Sequence, residues 1–322
     1  MKAIQIFRNG GPEVLTEVDL PKPTPGEGQA LVRVEASGVN FVDTYFREGR
    51  YPAQLPLTLG QEAAGVIEAV GSGVTGFKPG DRVAWAGVAG TYAEYAISPT
   101  ARLLHLPDAL STRQAAAVTT QGITAHYLIH STFVPKEGDT ILIHAGAGGT
   151  GLLLIQLAKR LGIRVITTVS TEAKAVLARS VGADEVILYT KEDVVARVRE
   201  LTAGKMLPVV YDSVGKTTFE QSLQCLRTRG TMVLFGGASG AVPPFDLIRL
   251  STMGSLYVTR PTMKDYVLTR EELEARANDI FSWVADGSLK LRIEHVYPLA
   301  EAAQAHRDLE SRRTTGKLIL LP

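Results

Sequence analysis

Residues 140–161 run from a short apolar segment through a cluster of glycines into a second apolar segment with helical spacing. Residues 141–143 have the side chains of a buried strand, and residues 152–161 (LLLIQLAKRL) predict an amphipathic helix. The glycines between them fit G-x-G-x-x-G, where the first makes a tight turn, the second lets a pyrophosphate approach and the third lets helix and strand pack closely. Free N–H groups at the helix N-terminus attract phosphate. We therefore expect a dinucleotide to bind at Gly146, Ala147, Gly148, Gly149, Thr150 and Gly151.

Apolar strands recur at nearly constant spacing in this part of the chain. They begin, at intervals of 24, 21, 23, 23 and 24 residues, near Thr140, Arg164, Glu185, Pro208, Thr231 and Ser255. Each interval has the length of one strand and one helix, and helical patterns lie between most of the strands. The spacing predicts an α/β fold of the Rossmann type, a doubly wound six-stranded parallel sheet with helices on both faces and right-handed crossovers.

The first 120 residues have a different pattern. Residues 2–7 and 30–35 alternate apolar and polar side chains, as half-buried strands do, and the Pro/Gly segment 21–29 between them excludes a helix. Short strands at 65–70, 82–85 and 92–97 complete a predicted small β-barrel. A helical segment follows residue 264, and 317–320 (KLIL) is a strand that returns to the barrel. We expect a first domain of residues 1–123 completed by 264–322, and a nucleotide-binding domain of residues 124–263.

Charge and cysteine content exclude several classes of protein. The chain has 34 basic and 33 acidic residues, a net charge of +1, and no basic run longer than Arg312-Arg313, which argues against a nucleic-acid partner. The single cysteine, Cys225, excludes a disulfide framework and a cysteine zinc site. There is no signal-peptide pattern and no uncharged stretch of membrane-spanning length, so we expect a cytoplasmic protein without a membrane partner.

The end of the second predicted strand bears on the choice of cofactor. In NAD-binding units an Asp or Glu commonly holds the ribose 2′-OH there, but this chain has Ser170, followed by Lys174 in the first turn of the next helix. A cation is disfavoured at a helix N-terminus unless an anion lies beside it. A hydroxyl and an ammonium suit a 2′-phosphate, so Ser170 and Lys174 predict NADPH. Glu172 is the alternative ribose ligand, although a first-turn acid also stabilises the helix itself.

Several segments together resemble one protein family. They are GVNFVDTYFREGRYP (38–52), LPLTLGQEAAGVIEAVGSGV (55–74), GDRVA (80–84), HAGAGGTG (144–151) and SLYVTRP (255–261). In this order they are similar to the NADPH:quinone oxidoreductase, or zeta-crystallin-like, branch of the medium-chain dehydrogenase/reductase superfamily, over essentially the whole chain. The resemblance implies a GroES-like catalytic domain, a Rossmann domain that binds NADPH, and a homodimer joined near residues 255–258.

Two positions depart from the zinc alcohol dehydrogenases of the same superfamily. Those enzymes carry a Cys and a His as catalytic zinc ligands where this chain has Asn40 and Gln61, and neutral amides are poor zinc ligands. We therefore expect no metal. Without a Lewis acid, hydride transfer is easiest to a conjugated acceptor that spreads the negative charge. Quinones are the first choice of substrate, and 2-alkenals or other enones are an alternative that the sequence does not separate from them.

The resemblance also assigns further site residues. Asn40 and Tyr45 match positions that line the nicotinamide and substrate cleft, and Tyr51 lies close in sequence; a tyrosine there either donates a hydrogen bond to a quinone oxygen or forms an aromatic wall. The remaining cofactor contacts that it implies are Thr124, Tyr189, Phe235 and Gly236. His144 is interpreted as structural, and His126 with His130 as a packed or surface pair.

A role of another class stays open at this point. Relatives in this branch serve as lens crystallins and as RNA-binding proteins, so the fold alone does not prove turnover. The near-zero net charge argues against strong RNA binding, and the complete glycine motif favours a working cofactor site. The expected function is therefore an NADPH-dependent quinone reductase, with a non-catalytic NADPH-binding protein as the alternative.

Overall fold

A computed structural model describes all 322 residues of the chain. The chain divides into two compact units. The first unit consists of Met1–Ile123 and Val267–Pro322, and the second unit is Thr124–Tyr266. None of the helices combines the length and the apolar composition needed to cross a membrane.

The chain forms sixteen strands and nine α-helices. The strands are β1 (Lys2–Ile6), β2 (Thr16–Asp19), β3 (Gln29–Val39), β4 (Leu57–Thr58), β5 (Glu62–Val70), β6 (Arg82–Ala86), β7 (Tyr95–Pro99), β8 (Leu104–His105), β9 (Thr140–Ile143), β10 (Arg164–Val169), β11 (Glu185–Leu188), β12 (Leu207–Asp212), β13 (Leu226–Leu234), β14 (Tyr257–Thr259), β15 (Ile293–Pro298) and β16 (Lys317–Leu321). The helices are α1 (Phe41–Arg47), α2 (Thr112–Tyr127), α3 (Gly149–Arg160), α4 (Glu172–Ser180), α5 (Val194–Leu201), α6 (Phe219–Gln224), α7 (Ile248–Thr252), α8 (Arg270–Ala285) and α9 (Ala302–Glu310).

The first unit is built around the eleven-residue strand β3. One edge of β3 pairs with β5 along most of its length, while the other edge pairs with β7 at residues 29–33 and with the C-terminal strand β16 at residues 37–39. A separate sheet has the order β2-β1-β4. Burial of apolar side chains from β1, β3 and β16 against Leu59 and Tyr92 holds these strands together. The last strand of the chain therefore lies beside the end of β3.

The second unit contains the predicted six-stranded parallel sheet, in the order β11-β10-β9-β12-β13-β14. From β9 the strands follow in chain order to one side as β10 and β11, and to the other side as β12, β13 and β14. The switch point therefore lies between β9 and β12, and ligands of such sheets bind there, at the carboxyl ends of the strands. The central strands are buried along their length, as parallel strands covered by helices must be. Helix α3 begins at Gly149, three residues before the predicted start, because the glycines themselves form its first turn. Strand β13 begins at Leu226 rather than near Thr231.

Candidate active site

The glycine turn joins β9 to α3 in the second unit, and each glycine has a distinct reason to lack a side chain. The Gly148 N–H donates to the Ala145 carbonyl oxygen at 3.0 Å, so Gly146 lies in the tight turn as expected, while the left-handed residue of that turn is Ala145, with φ 57°. A Cβ on Gly146 would lie 2.0 Å from Thr167 Oγ1, so this position is small because β10 passes close to it. A Cβ on Gly151 would lie 2.4 Å from the carbonyl oxygen of Ala145, so this glycine lets α3 pack closely against the turn that follows β9.

Gly148 faces a different environment. It is the N-cap of α3, and the nearest atom to an added Cβ is the Ala145 carbonyl oxygen at 3.3 Å. No side chain caps this helix, which leaves the N–H groups of its first turn, residues 149–151, without a side-chain acceptor. The partial positive charge of the helix N-terminus adds to these donors. The turn therefore has the chemistry of a phosphate site.

A buried hydrogen-bond chain lies directly behind the glycine turn. Ser222 Oγ donates to Asp212 Oδ2 at 2.8 Å, so it must accept from His144 Nε2 at 3.0 Å. His144 Nδ1 then accepts from Thr168 Oγ1 at 2.9 Å, which makes His144 a neutral imidazole with its proton on Nε2. Burial lowers the pKa of His144, in keeping with this state. The chain ties the ends of β10, β9 and β12 together, so His144 has the structural role expected from the sequence.

The two loops beside this chain also meet at their backbones. Asp212 Oδ1 accepts from the N–H groups of Val214 and Gly215, and the Asp212 carbonyl oxygen accepts from Phe235 N at 2.9 Å. A Cβ on Gly236 would lie 2.3 Å from the Ser213 carbonyl oxygen, so only glycine allows this approach. Phe235 and Gly236 therefore lie at the same carboxyl edge of the sheet as the glycine turn.

The residues predicted to select the cofactor follow two paired strands. Val169 of β10 is in register with Leu188 of β11, so Ser170 and Tyr189 stand side by side at the same edge. Tyr189 is exposed, whereas Lys174 is half-buried on α4 and its pKa is lowered by desolvation.

Glu172, the alternative ribose ligand, is the first residue of α4. It is exposed and pairs with Lys191 Nζ at 3.3 Å. The N-cap of this helix is Thr171, whose side chain accepts from Lys174 N at 3.3 Å. This arrangement agrees with the interpretation of Glu172 as a first-turn acid. Thr124 is half-buried on α2, at the start of the second unit.

In the first unit, Asn40 is buried and is the N-cap of α1. Its Nδ2 donates to Glu62 Oε2 at 2.8 Å, and its Oδ1 accepts from Lys317 Nζ at 2.8 Å. Its backbone N–H donates to Asp43 Oδ2 at 2.8 Å, completing a capping box. Both ends of the amide are thus held by charged side chains of the protein. Glu62 and Lys317 are not predicted by the sequence, since each is a single charged residue at the start of an apolar strand and has no motif of its own.

A second buried chain of polar side chains runs beside Asn40. Because a guanidinium can only donate, Arg47 donates to His306 Nδ1 at 3.0 Å, which leaves the His306 proton on Nε2. His306 Nε2 then donates to Tyr92 Oη at 3.1 Å, and the Tyr92 hydroxyl donates to Asp43 Oδ2 at 3.0 Å. Arg47 also forms an ion pair with Glu310 at 2.8 Å. Burial and the nearby guanidinium lower the pKa of His306 to about 3, and burial raises the pKa of Asp43 to about 7. Asp43 Oδ1 is buried and has no hydrogen-bond partner.

The two predicted tyrosines differ in exposure. Tyr45 on α1 is 5% exposed and Tyr51 is 39% exposed, and their rings meet edge to face with centroids 5.4 Å apart. The Arg50 guanidinium lies 4.0 Å from the centre of the Tyr45 ring, a cation–π contact. The two tyrosine rings and the Arg50 guanidinium thus form one packed cluster. Tyr51 is the more accessible of the two.

No group of three or more His, Cys, Asp and Glu side chains is placed to hold a metal ion. Gln61 is half-buried and directly precedes β5. The rings of His126 and His130 lie 4.5 Å apart between centroids and form a packed pair.

Comparisons with known proteins place these features in a family. Residues 26–108 match the alcohol dehydrogenase GroES-like domain, and residues 149–282 match the zinc-binding dehydrogenase family. A quinone oxidoreductase of Pseudomonas aeruginosa is 51% identical, with 100% of this chain and 99% of the relative covered. The chain belongs to the quinone oxidoreductase family of the medium-chain dehydrogenase/reductase superfamily. The predicted fold class, a Rossmann sheet with a GroES-like domain, is confirmed.

Two further comparisons bear on ligands. The crystal structure of an Escherichia coli quinone oxidoreductase complexed with NADPH has a TM-score of 0.98 and 46% identity, and each chain is covered completely. A 2-haloacrylate reductase of Burkholderia sp. is 40% identical over 99% of this chain and 98% of its own.

The name of the matched zinc-binding family raises the question of a metal. The residues of this chain do not fit a catalytic zinc ion, because Asn40 and Gln61 offer neutral amides where the zinc enzymes have a Cys and a His. In addition, an ammonium already contacts the oxygen of the Asn40 amide.

Proposed function

We propose that this protein is an NADPH-dependent quinone reductase that works without a metal. The glycine turn carries this proposal, because its uncapped helix N-terminus stands at the carboxyl edge of the parallel sheet, where dinucleotides bind. The quinone oxidoreductases that are 46–51% identical over the full chain support the reaction. When bound, NADPH supplies the hydride, and a conjugated acceptor takes up the resulting negative charge.

The second unit supplies the cofactor contacts in this proposal. The backbone of residues 146–151 holds the pyrophosphate, with Ala147, Gly149 and Thr150 contributing as neighbours in the turn. Ser170, Lys174 and Tyr189 hold the adenosine and its 2′-phosphate, while Thr124, Phe235 and Gly236 lie on the nicotinamide side. The first unit supplies the acceptor side through Asn40, Tyr45 and Tyr51, so we assign it the catalytic role.

Cofactor preference tests the assignment of Lys174. A hydrogen bond to a charged group is worth about 1.5–3 kcal/mol, which is roughly a 10- to 150-fold change in affinity. Lys174→Ala should therefore raise the KM for NADPH by about that factor and leave the KM for NADH unchanged. Lys159→Ala is the control, since Lys159 lies on α3 and forms an ion pair with Asp184 at 2.8 Å. An unchanged ratio of the two KM values in Lys174→Ala would remove the assignment.

The acceptor is tested by a panel assay of NADPH oxidation. Quinones, 2-alkenals, 2-haloacrylate and a simple ketone are compared at saturating cofactor. We expect activity with quinones and none with the ketone, which needs a Lewis acid. The second candidate function is reduction of a conjugated double bond, favoured by the 2-haloacrylate reductase that is 40% identical. Activity confined to alkenals or haloacrylate would select it, and NADPH binding without turnover of any acceptor would select a non-catalytic role.

We also propose that the protein is a cytoplasmic homodimer joined through the edge of the parallel sheet. Strand β14 has no neighbour on its outer side, and Tyr257 and Val258 on it are exposed, as is Ile248 on α7. An open apolar edge strand is a template for pairing with a second copy. Light scattering should give the mass of two chains, and Tyr257→Lys should give one. A wild-type mass of one chain would overturn the dimer.

A further inference from the structure

The Lys317–Glu62 ion pair is buried within the first unit. The side chains of Lys317 and Glu62 are 3% and 0% exposed, and Lys317 Nζ lies 2.5 Å from Glu62 Oε2. Glu62 Oε1 accepts from the N–H of Thr120 at 2.5 Å, so both carboxylate oxygens are used. A buried ion pair of this kind is costly to desolvate and adds little stability compared with apolar side chains of similar volume. Its presence calls for an explanation other than stability.

The strand register explains how the two charges meet. In the pairing of β3 with β16, Leu318 lies opposite Val39, which places Lys317 opposite Asn40. In the pairing of β3 with β5, Ser37 lies opposite Ala63, which places Glu62 opposite Gly38. A Cβ on Gly38 would lie 2.3 Å from Glu62 Oε2 and 2.8 Å from Lys317 Cε. The two side chains therefore meet over Gly38, in the space left by its missing side chain.

The ammonium has two oxygen neighbours, Glu62 Oε2 and Asn40 Oδ1. Because a lysine only donates and a carboxylate only accepts, these contacts fix which end of the Asn40 amide points to each charge. Asn40 in turn caps α1, the helix that carries Tyr45. The ammonium thus stands in a small cation site next to the residue that replaces a metal ligand in related zinc enzymes.

We propose that the Lys317 ammonium is the resident cation of this site and is a positioning residue for the acceptor side. It neutralises Glu62, fixes the orientation of the Asn40 amide and thereby sets the N-terminus of α1. The effect on turnover rests on the proposed quinone reductase function, whereas the cation site is independent of that function.

Chemical rescue tests the proposal. Lys317→Ala removes three carbons and the ammonium, and propylammonium supplies the same atoms. We expect Lys317→Ala to lower the melting temperature and to lower kcat/KM for a quinone by about tenfold or more, since the loss leaves Glu62 buried without its partner. Propylammonium should restore both in a saturable manner. Tetramethylammonium, which has no N–H donor, and sodium chloride at the same ionic strength should restore neither.

Lys2→Ala is the matched control, because Lys2 pairs with Asp19 at 2.9 Å while its side chain is 47% exposed. Propylammonium should change neither its melting temperature nor its activity. A Lys317→Ala protein with lowered melting temperature but wild-type kcat and KM would show a purely structural pair and overturn the positioning role. Restored melting temperature without restored activity would do the same.

A second variant covers the case in which Lys317→Ala does not fold. Glu62→Gln with Lys317→Met removes both charges together, so no buried ion is left unpaired. We expect this protein to fold and to retain a reduced kcat/KM, because Met cannot donate to Asn40 Oδ1. Wild-type kinetics in this variant would overturn the proposal. Failure of the wild-type protein to reduce any quinone would sink the proposed function, whereas the amine-dependent melting temperature of Lys317→Ala would still decide the cation site.

Discussion

Substitution by alanine should affect the three motif glycines Gly146, Gly148 and Gly151 in different ways. Gly151→Ala gains up to about 1 kcal/mol of helix propensity. Its Cβ, however, meets the carbonyl oxygen of Ala145 at 2.4 Å and the Cα of Gly146 at 3.0 Å. These are backbone atoms that cannot rotate away, and such overpacking costs about 1–3 kcal/mol. The net loss of about 1–2 kcal/mol should lower the melting temperature by roughly 2–8 °C, at about 2–4 °C for each kcal/mol in a unit of this size.

Gly146→Ala should cost a similar amount for another reason. Its Cβ would lie 2.0 Å from Thr167 Oγ1, and that hydroxyl donates to the Ile143 carbonyl oxygen at 2.6 Å. Rotation of Thr167 would relieve the clash only by breaking this buried hydrogen bond, which is worth about 1 kcal/mol.

Gly148→Ala is the internal control for stability and the probe for binding. Its Cβ meets nothing closer than 3.3 Å, so the variant should lose less stability than the other two, about 1 kcal/mol or less, mainly because alanine is a poorer N-cap than glycine. The same methyl group would stand where the pyrophosphate is proposed to approach. A loss of about 1.4 kcal/mol of NADPH binding free energy would raise the KM for NADPH about tenfold. Thermal unfolding and NADPH-dependent kinetics of the three variants make the comparison. Equal destabilisation by Gly148→Ala and Gly151→Ala, or an unchanged KM in Gly148→Ala, would refute these roles.

Two other predictions concern buried polar groups. Burial raises the pKa of Asp43 from 3.8 to about 7, so between these pH values only the native state keeps the proton and stability falls as pH rises. Asp43→Asn should reduce the dependence of the free energy of unfolding on pH, measured by denaturant titrations between pH 4 and 7. A variant with the same pH dependence as wild type would contradict the assignment. Ser222→Ala removes the acceptor of His144 Nε2 and should cost about 1–3 kcal/mol in urea unfolding. Ser180→Ala, an exposed serine on α4, is its control.

The parallel sheet was predictable because buried parallel strands are apolar along their whole length and recur with the crossover helices. The start of β13 was misplaced because Arg227, Thr228 and Arg229 are exposed and hide the onset of the strand from an apolar pattern. The positive φ of the tight turn lies at Ala145 rather than at a glycine, which the glycine pattern alone does not predict.

The polar contacts of the first unit could not be read from the sequence. Glu62 and Lys317 are 255 residues apart, and only the pairing of β3 with both β5 and β16 brings them together. A single charged residue at the start of an apolar strand gives no sign of its partner, since solvated charges have the same pattern. The glycine motif was different, because its residues are contiguous and act through their own backbone.

The C-terminal segment completes both buried polar clusters of the first unit. Lys317 holds Asn40 and Glu62, while His306 and Glu310 hold Arg47 at the other end of α1. Both ends of this seven-residue helix are therefore tied to residues that follow the second unit in sequence. A first unit made from residues 1–123 alone would lack the ammonium that pairs with Glu62 and would leave Arg47 with Glu48 as its acidic partner. The return of the chain through α9 and β16 is thus required by the electrostatics of the site as well as by the sheet.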